Sequence, residues 1–113
     1  VPDYDRYKQL ITARLAELGE RMQGIETELD KPKPKDSEER AIDLEDDEVL
    51  EGLGMAAQKE AGLLREALVR IEHGSFGVCE ACANEISDAR LAAVPYAVLC
   101  RDCAANAEKS RRA

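Results

Sequence analysis

Cys79, Cys82, Cys100 and Cys103 fall in two Cys-x2-Cys pairs with 17 residues between them, and they are all the cysteines of the 113-residue chain. Zinc takes four soft thiolates in a tetrahedron, and each pair offers two sulfurs to one side of a metal. The spacer is long enough to fold back and present the second pair. A shell closed by four cysteines leaves no open position for a metal-bound water, so the site is expected to be structural rather than hydrolytic. Thiol redox chemistry uses one such pair at a helix start in a βαβ setting, and that setting is missing. Two disulfides would need an oxidising compartment. The opening residues Val1-Pro2-Asp3-Tyr4-Asp5-Arg6 show neither the basic nor the apolar region of a secretory signal, so a cytoplasmic location is expected. His73, the one histidine, precedes Gly74 and reads as a helix C-terminal residue, not a fifth ligand.

The rest of the chain reads as helix. Tyr4, Tyr7, Ile11, Leu15, Leu18, Met22, Ile25 and Leu29 recur at steps of three and four, the seam of an amphipathic coiled-coil helix over about 5–29. Gly19 and Gly24 lie off that seam. Asp30-Lys31-Pro32-Lys33-Pro34-Lys35 then stops the helix, because two prolines lack backbone donors and bias their predecessors away from helical geometry. So short a connection implies an antiparallel partner. The second helix is expected from Asp36 or Ser37 to His73, with Gly74 as its stop. Its apolar stripe reads Ile42, Val49, Leu53, Ala56, Leu63, Ala67 and Ile71, with Leu64 and Leu68 alongside. The part from Leu64 to Ile71 is expected to pack on the cysteine module with Phe76, Leu91 and Val94. From Ser75 onward, short segments with Gly and Pro read as hairpins, and about 103–110 reads as a closing helix.

The predicted fold is therefore all-α dominated: an antiparallel coiled-coil hairpin over 1–74, its tip near 30–41, and a four-cysteine zinc-finger module over 75–113 with a short C-terminal helix. No run approaches the roughly 20 apolar residues of a membrane span.

Charge is unevenly distributed. Between 36 and 51 nine acids face one base, and this window carries the whole formal net charge of −8. Such a balance argues against direct binding to duplex DNA, which needs clustered Lys and Arg. At the tip, Asp36 and Glu39 are spaced as N-cap and N3 of a capping box, and acids in a first turn complement the helix dipole. The same geometry would carry two carboxylates to the far end of a narrow hairpin, where basic groups, backbone donors or a metal ion in a partner's cleft could meet them.

These residues resemble the DnaK-suppressor (DksA/TraR) family of RNA polymerase-binding regulators. The resemblance rests on Asp36-x-x-Glu39-Arg40-Ala41, on Leu68-x-x-Ile71-Glu72-x-Gly74-x-Phe76-Gly77-x-Cys79-x-x-Cys82, and on Arg90-Leu91-x-Ala93-x-Pro95 before Cys100-x-x-Cys103. It implies a structural zinc held by Cys79, Cys82, Cys100 and Cys103. It also implies a hairpin that enters the secondary channel of bacterial RNA polymerase and modulates initiation without binding DNA. Asp36, Glu39, Arg40 and Ala41 would then be the partner-binding tip. Longer members have aspartate where Glu39 stands; one extra methylene keeps the charge but moves the carboxylate. Longer members also help bind guanosine tetraphosphate through basic residues. The matching positions, Ala56, Leu63 and Ala104, are uncharged, so synergy with that nucleotide is expected to be weak or absent.

The expectation is thus a non-enzymatic, monomeric, cytoplasmic regulator that takes RNA polymerase as its partner and neither binds specific DNA sequences nor enters membranes. Two alternatives stand beside it. One is a zinc-stapled adaptor that binds another protein through its coiled coil. The other is a secondary-channel factor whose tip carboxylates hold magnesium and promote transcript cleavage.

Overall fold

The computed structural model describes residues 2–32 and 37–112, the side chains of 37–45 and of residue 112 excepted. Helix α1 spans Tyr4–Leu29. It is capped by Asp3, whose Oδ1 accepts from the Arg6 N–H at 3.2 Å while its carbonyl accepts from the Tyr7 N–H. The expected seam faces inward: Tyr7, Ile11, Leu18 and Ile25 are buried, and Tyr4, Leu15, Met22 and Leu29 are half-buried. Side chains at Gly19 or Gly24 would meet nothing within 4 Å, in keeping with their place off the seam.

Helix α2 spans Ser37–His73. It ends in a Schellman motif, in which the Ser75 N–H bonds the Arg70 carbonyl and the Gly74 N–H bonds the Ile71 carbonyl. Gly74 adopts φ +75°, the left-handed geometry that this stop requires. The expected stripe is corrected in its first half. Val49 and Leu53 are 63% and 52% exposed and Ala56 is exposed, while Ala57, Ala61, Leu64 and Ala67 are buried and Leu50 and Gly54 half-buried. The inner face is thus rotated by about one residue and is built largely from small side chains. Small residues let two helix backbones approach, and a Cβ at Gly54 would already stand 3.7 Å from Ile25 Cγ2. Ile42 lies where side chains are not described.

The chain forms two compact units, Arg14–Gly62 and the combination of Val1–Ala13 with Leu63–Ala113. In the first, α1 and α2 run antiparallel. Arg14 donates to Glu60 through Nε at 2.7 Å and Nη2 at 3.5 Å, and its Nη1 reaches Glu17 at 3.1 Å.

In the second unit, the two helix ends meet the cysteine-bearing segment. Phe76 is fully buried, with the Tyr4 ring edge-on at 6.2 Å between centroids and the Tyr7 ring tilted at 5.3 Å. Leu64, Ala67, Ile86, Leu91 and Ala97 complete its core. Helix α3 spans Asp88–Ala93, and helix α4 spans Arg101–Arg112. The expected hairpins are reduced to one isolated antiparallel bridge, Val78 with Glu85, and no strand occurs among the described residues. Helix α3 was not anticipated, although Ser87-Asp88 carries its signal: Ser87 Oγ accepts from the Arg90 N–H and Asp88 stands in the first turn. Helix α4 begins two residues before the expected closing helix, which places Cys103 in its first turn. No helix among the described residues is long and apolar enough to cross a membrane.

Candidate metal centre

Cys79 and Cys82 lie on a tight turn. The Ala83 N–H returns to the Cys79 carbonyl at 2.9 Å, and the Cys79 N–H donates to the Asn84 carbonyl at 2.8 Å. Ala83 takes φ 64°, a left-handed geometry uncommon for a residue with a Cβ, and it reverses the chain beneath the two sulfurs. Cys100 precedes α4, and its carbonyl accepts from the Ala104 N–H, so the helix start fixes Cys100 and Cys103 one turn apart. The two pairs are tied together by the Glu80 N–H donating to the Val98 carbonyl at 2.9 Å. Two arginines hold the intervening loop: Arg90 Nε donates to the Leu99 carbonyl at 2.8 Å and Arg70 Nη2 to the Tyr96 carbonyl at 3.3 Å.

The four sulfurs consequently lie within 4.8 Å of one another, and they are the one group of this kind among the described residues. Cys82 and Cys100 stand 3.8 Å apart, Sγ to Sγ. A tetrahedron with zinc–sulfur bonds of about 2.3 Å has edges of about 3.8 Å. Donor type, number and spacing therefore fit a zinc ion. The electrostatics agree. The Cys100 N–H, followed by those of Cys82 and Ala81, favours thiolate at Cys79 and lowers its pKa to about 6 against the opposition of burial. Cys103 is pushed up to about 12, first by its hydrogen bond with Cys100 and then by those with Cys79 and Cys82. Without a cation, four clustered thiols cannot all ionise; a divalent metal supplies the charge that four thiolates need.

The tip stands differently. Asp36 lies outside the described residues, and Glu39, Arg40 and Ala41 lie in α2 where side chains are not described. The structure also brings in residues that reading the sequence missed. Tyr7 Oη donates to Asp88 Oδ1 at 2.9 Å, and Tyr4 Oη donates to the Gly74 carbonyl at 3.0 Å. No local motif marks pairs 81 and 70 residues apart.

An antiparallel helical hairpin with a C-terminal four-cysteine finger defines a class of zinc-finger proteins built on a coiled coil. Comparison with known proteins gives the family. The N-terminal domain of DnaK suppressor protein-like chains matches residues 7–71, and the prokaryotic dksA/traR C4-type zinc finger matches residues 74–109. The chain belongs to the DksA/TraR family. A solved structure of transcription factor DksA2 from Pseudomonas aeruginosa superposes with a TM-score of 0.89 at 29% identity, covering 97% of this chain and 86% of that one. The solution structure of a DnaK suppressor protein from Agrobacterium tumefaciens C58 is 39% identical, with a TM-score of 0.62 over 94% of this chain and 95% of that one. An uncharacterised protein of Aquifex aeolicus is 37% identical over 79 residues, which make 67% of this chain and about half, 52%, of that relative.

Proposed function

We propose that this protein is a non-enzymatic regulator that binds bacterial RNA polymerase through its secondary channel and modulates initiation without contacting specific DNA. The observation that carries the reading is the location of charge on a member of this family. The unit Arg14–Gly62 holds 15 acids and 7 bases, so the net −8 of the protein resides in the hairpin while the unit with the finger is neutral. An acidic hairpin is suited to a cationic cleft and repelled by a DNA backbone. Asp36 and Glu39 are the effector carboxylates in this reading, with Arg40 and Ala41 completing the tip. Cys79, Cys82, Cys100 and Cys103 hold zinc, whose part is to staple the two cysteine pairs. Ala56, Leu63 and Ala104 offer no cation to guanosine tetraphosphate, so synergy with that nucleotide is weak or absent in this reading. The protein works where the polymerase is, in the cytoplasm.

Two measurements test this. The purified protein should bind core RNA polymerase and be displaced by a secondary-channel competitor. Asp36→Asn with Glu39→Gln should abolish its effect in a reconstituted transcription assay while leaving helicity and polymerase binding within about threefold of wild type. Unchanged regulation by that variant would remove the tip from the mechanism.

A further inference from the structure

Helix α2 carries a second apolar stripe that none of the described side chains of its own unit covers. Val49, Gly52, Leu53 and Ala56 follow at i, i+3, i+4 and i+7, one face of a helix. All four are exposed, Val49 and Leu53 to 63% and 52%. The inner face, through Leu50, Gly54, Ala57 and Ala61, already serves α1, so the outer stripe is surplus to the hairpin's own packing. Gly52 sharpens the point. A mid-helix glycine is destabilising relative to alanine, yet a Cβ there would meet nothing within 4 Å. Packing inside the chain gives no reason for it, whereas a glycine between two exposed aliphatic side chains lets another backbone approach closely.

Charge decides what can lie on this face. Exposed Asp46 stands one turn before Val49, and the unit carries −8. A second copy would bring −8 against −8; nucleic acid and anionic lipid are repelled in the same way. A protein surface with a small apolar groove and a basic rim is matched in both respects. We infer that the Val49–Gly52–Leu53–Ala56 stripe is a docking face for a basic-rimmed, apolar surface of a protein partner. The inference rests on the functional reading above, which makes that partner the polymerase, and it adds a contact set apart from the tip.

The test measures the affinity of the full zinc-loaded chain for core RNA polymerase at fixed salt, alongside circular dichroism and thermal melting. V49S/L53S removes both aliphatic contacts. G52A adds one methyl where the chain itself has room, so it should melt no lower than wild type. Both variants should lose more than about threefold in affinity, V49S/L53S about tenfold. A loss of threefold or less in either one overturns the docking face while leaving the polymerase reading intact. If the wild-type chain fails to bind polymerase at all, the functional reading itself falls, and the docking face with it. Sedimentation supplies a separate outcome: a wild-type dimer that V49S/L53S dissociates overturns the inference in favour of a second copy.

Discussion

Tyr7 illustrates how much one hydroxyl can report. Its ring packs on Phe76 while its Oη donates to the Asp88 carboxylate at 2.9 Å. Burial, followed by that hydrogen bond, raises its pKa above the ordinary 10.0. A raised pKa means that the folded chain holds the proton more tightly than the unfolded one, so the associated stability is fully present below pH 10. It is lost as the pH climbs through the folded value. Tyr7→Phe keeps the ring contact and removes the hydrogen bond, at a cost of about 1 kcal/mol. It should melt a few degrees lower than wild type at pH 8, and thermal melts above pH 10 should show that difference shrinking. None of this could be read from the sequence, where Tyr7 is only a seam position and Asp88 only a loop acid. The four cysteines were legible because the rule joining them is local to each pair and their number leaves none over. Their sulfurs lie within 4.8 Å of one another.

At the scale of elements, periodicity located both long helices within about a residue at each described end, since proline, glycine and the three-four repeat act over one turn. It misplaces the inner face of α2 because bulk hydrophobicity is a poor mark of burial there. Val49 and Leu53 outrank Ala57 and Ala61 on any such scale, yet the antiparallel pair closes over the alanines. Which stripe is chosen depends on how nearly α1 can approach, a tertiary quantity that no window of α2 contains. The contrast is testable with a single larger side chain in two registers. Ala61→Leu overpacks a position that is 1% exposed and should cost about 1–3 kcal/mol in chemical denaturation. Ala56→Leu, on the exposed face, should change stability by no more than about 0.5 kcal/mol. Equal costs would mean that both faces are packed alike. Helix α3 was missed for a different reason: a six-residue helix has too few turns to show a period, and only its Ser87 cap announces it.

For the molecule as a whole, the two units are under different physical control. The unit Arg14–Gly62 concentrates a net −8 with no metal-ligating cluster among its described residues, so self-repulsion opposes its compaction. The other unit is neutral, and its cysteine segment has one bridge and short helices where a larger core would otherwise be needed. For such a segment, metal binding is folding free energy, about 10–16 kcal/mol for a structural zinc site. Salt and chelator should therefore act on different parts of the same chain. Raising sodium chloride from 0.05 to 0.5 M shortens the Debye length from roughly 14 to about 4 Å and should slow amide exchange in 46–62, where acids repel one another. A chelator should leave that gain in place but abolish protection in 76–104, and Cys103→Ser should reproduce its effect by weakening zinc at least about a hundredfold. Exchange read segment by segment in the four combinations of salt and chelator decides the matter. If chelation strips protection equally from 46–62, the metal controls the hairpin as well, and charge and zinc do not act on separate parts of the chain.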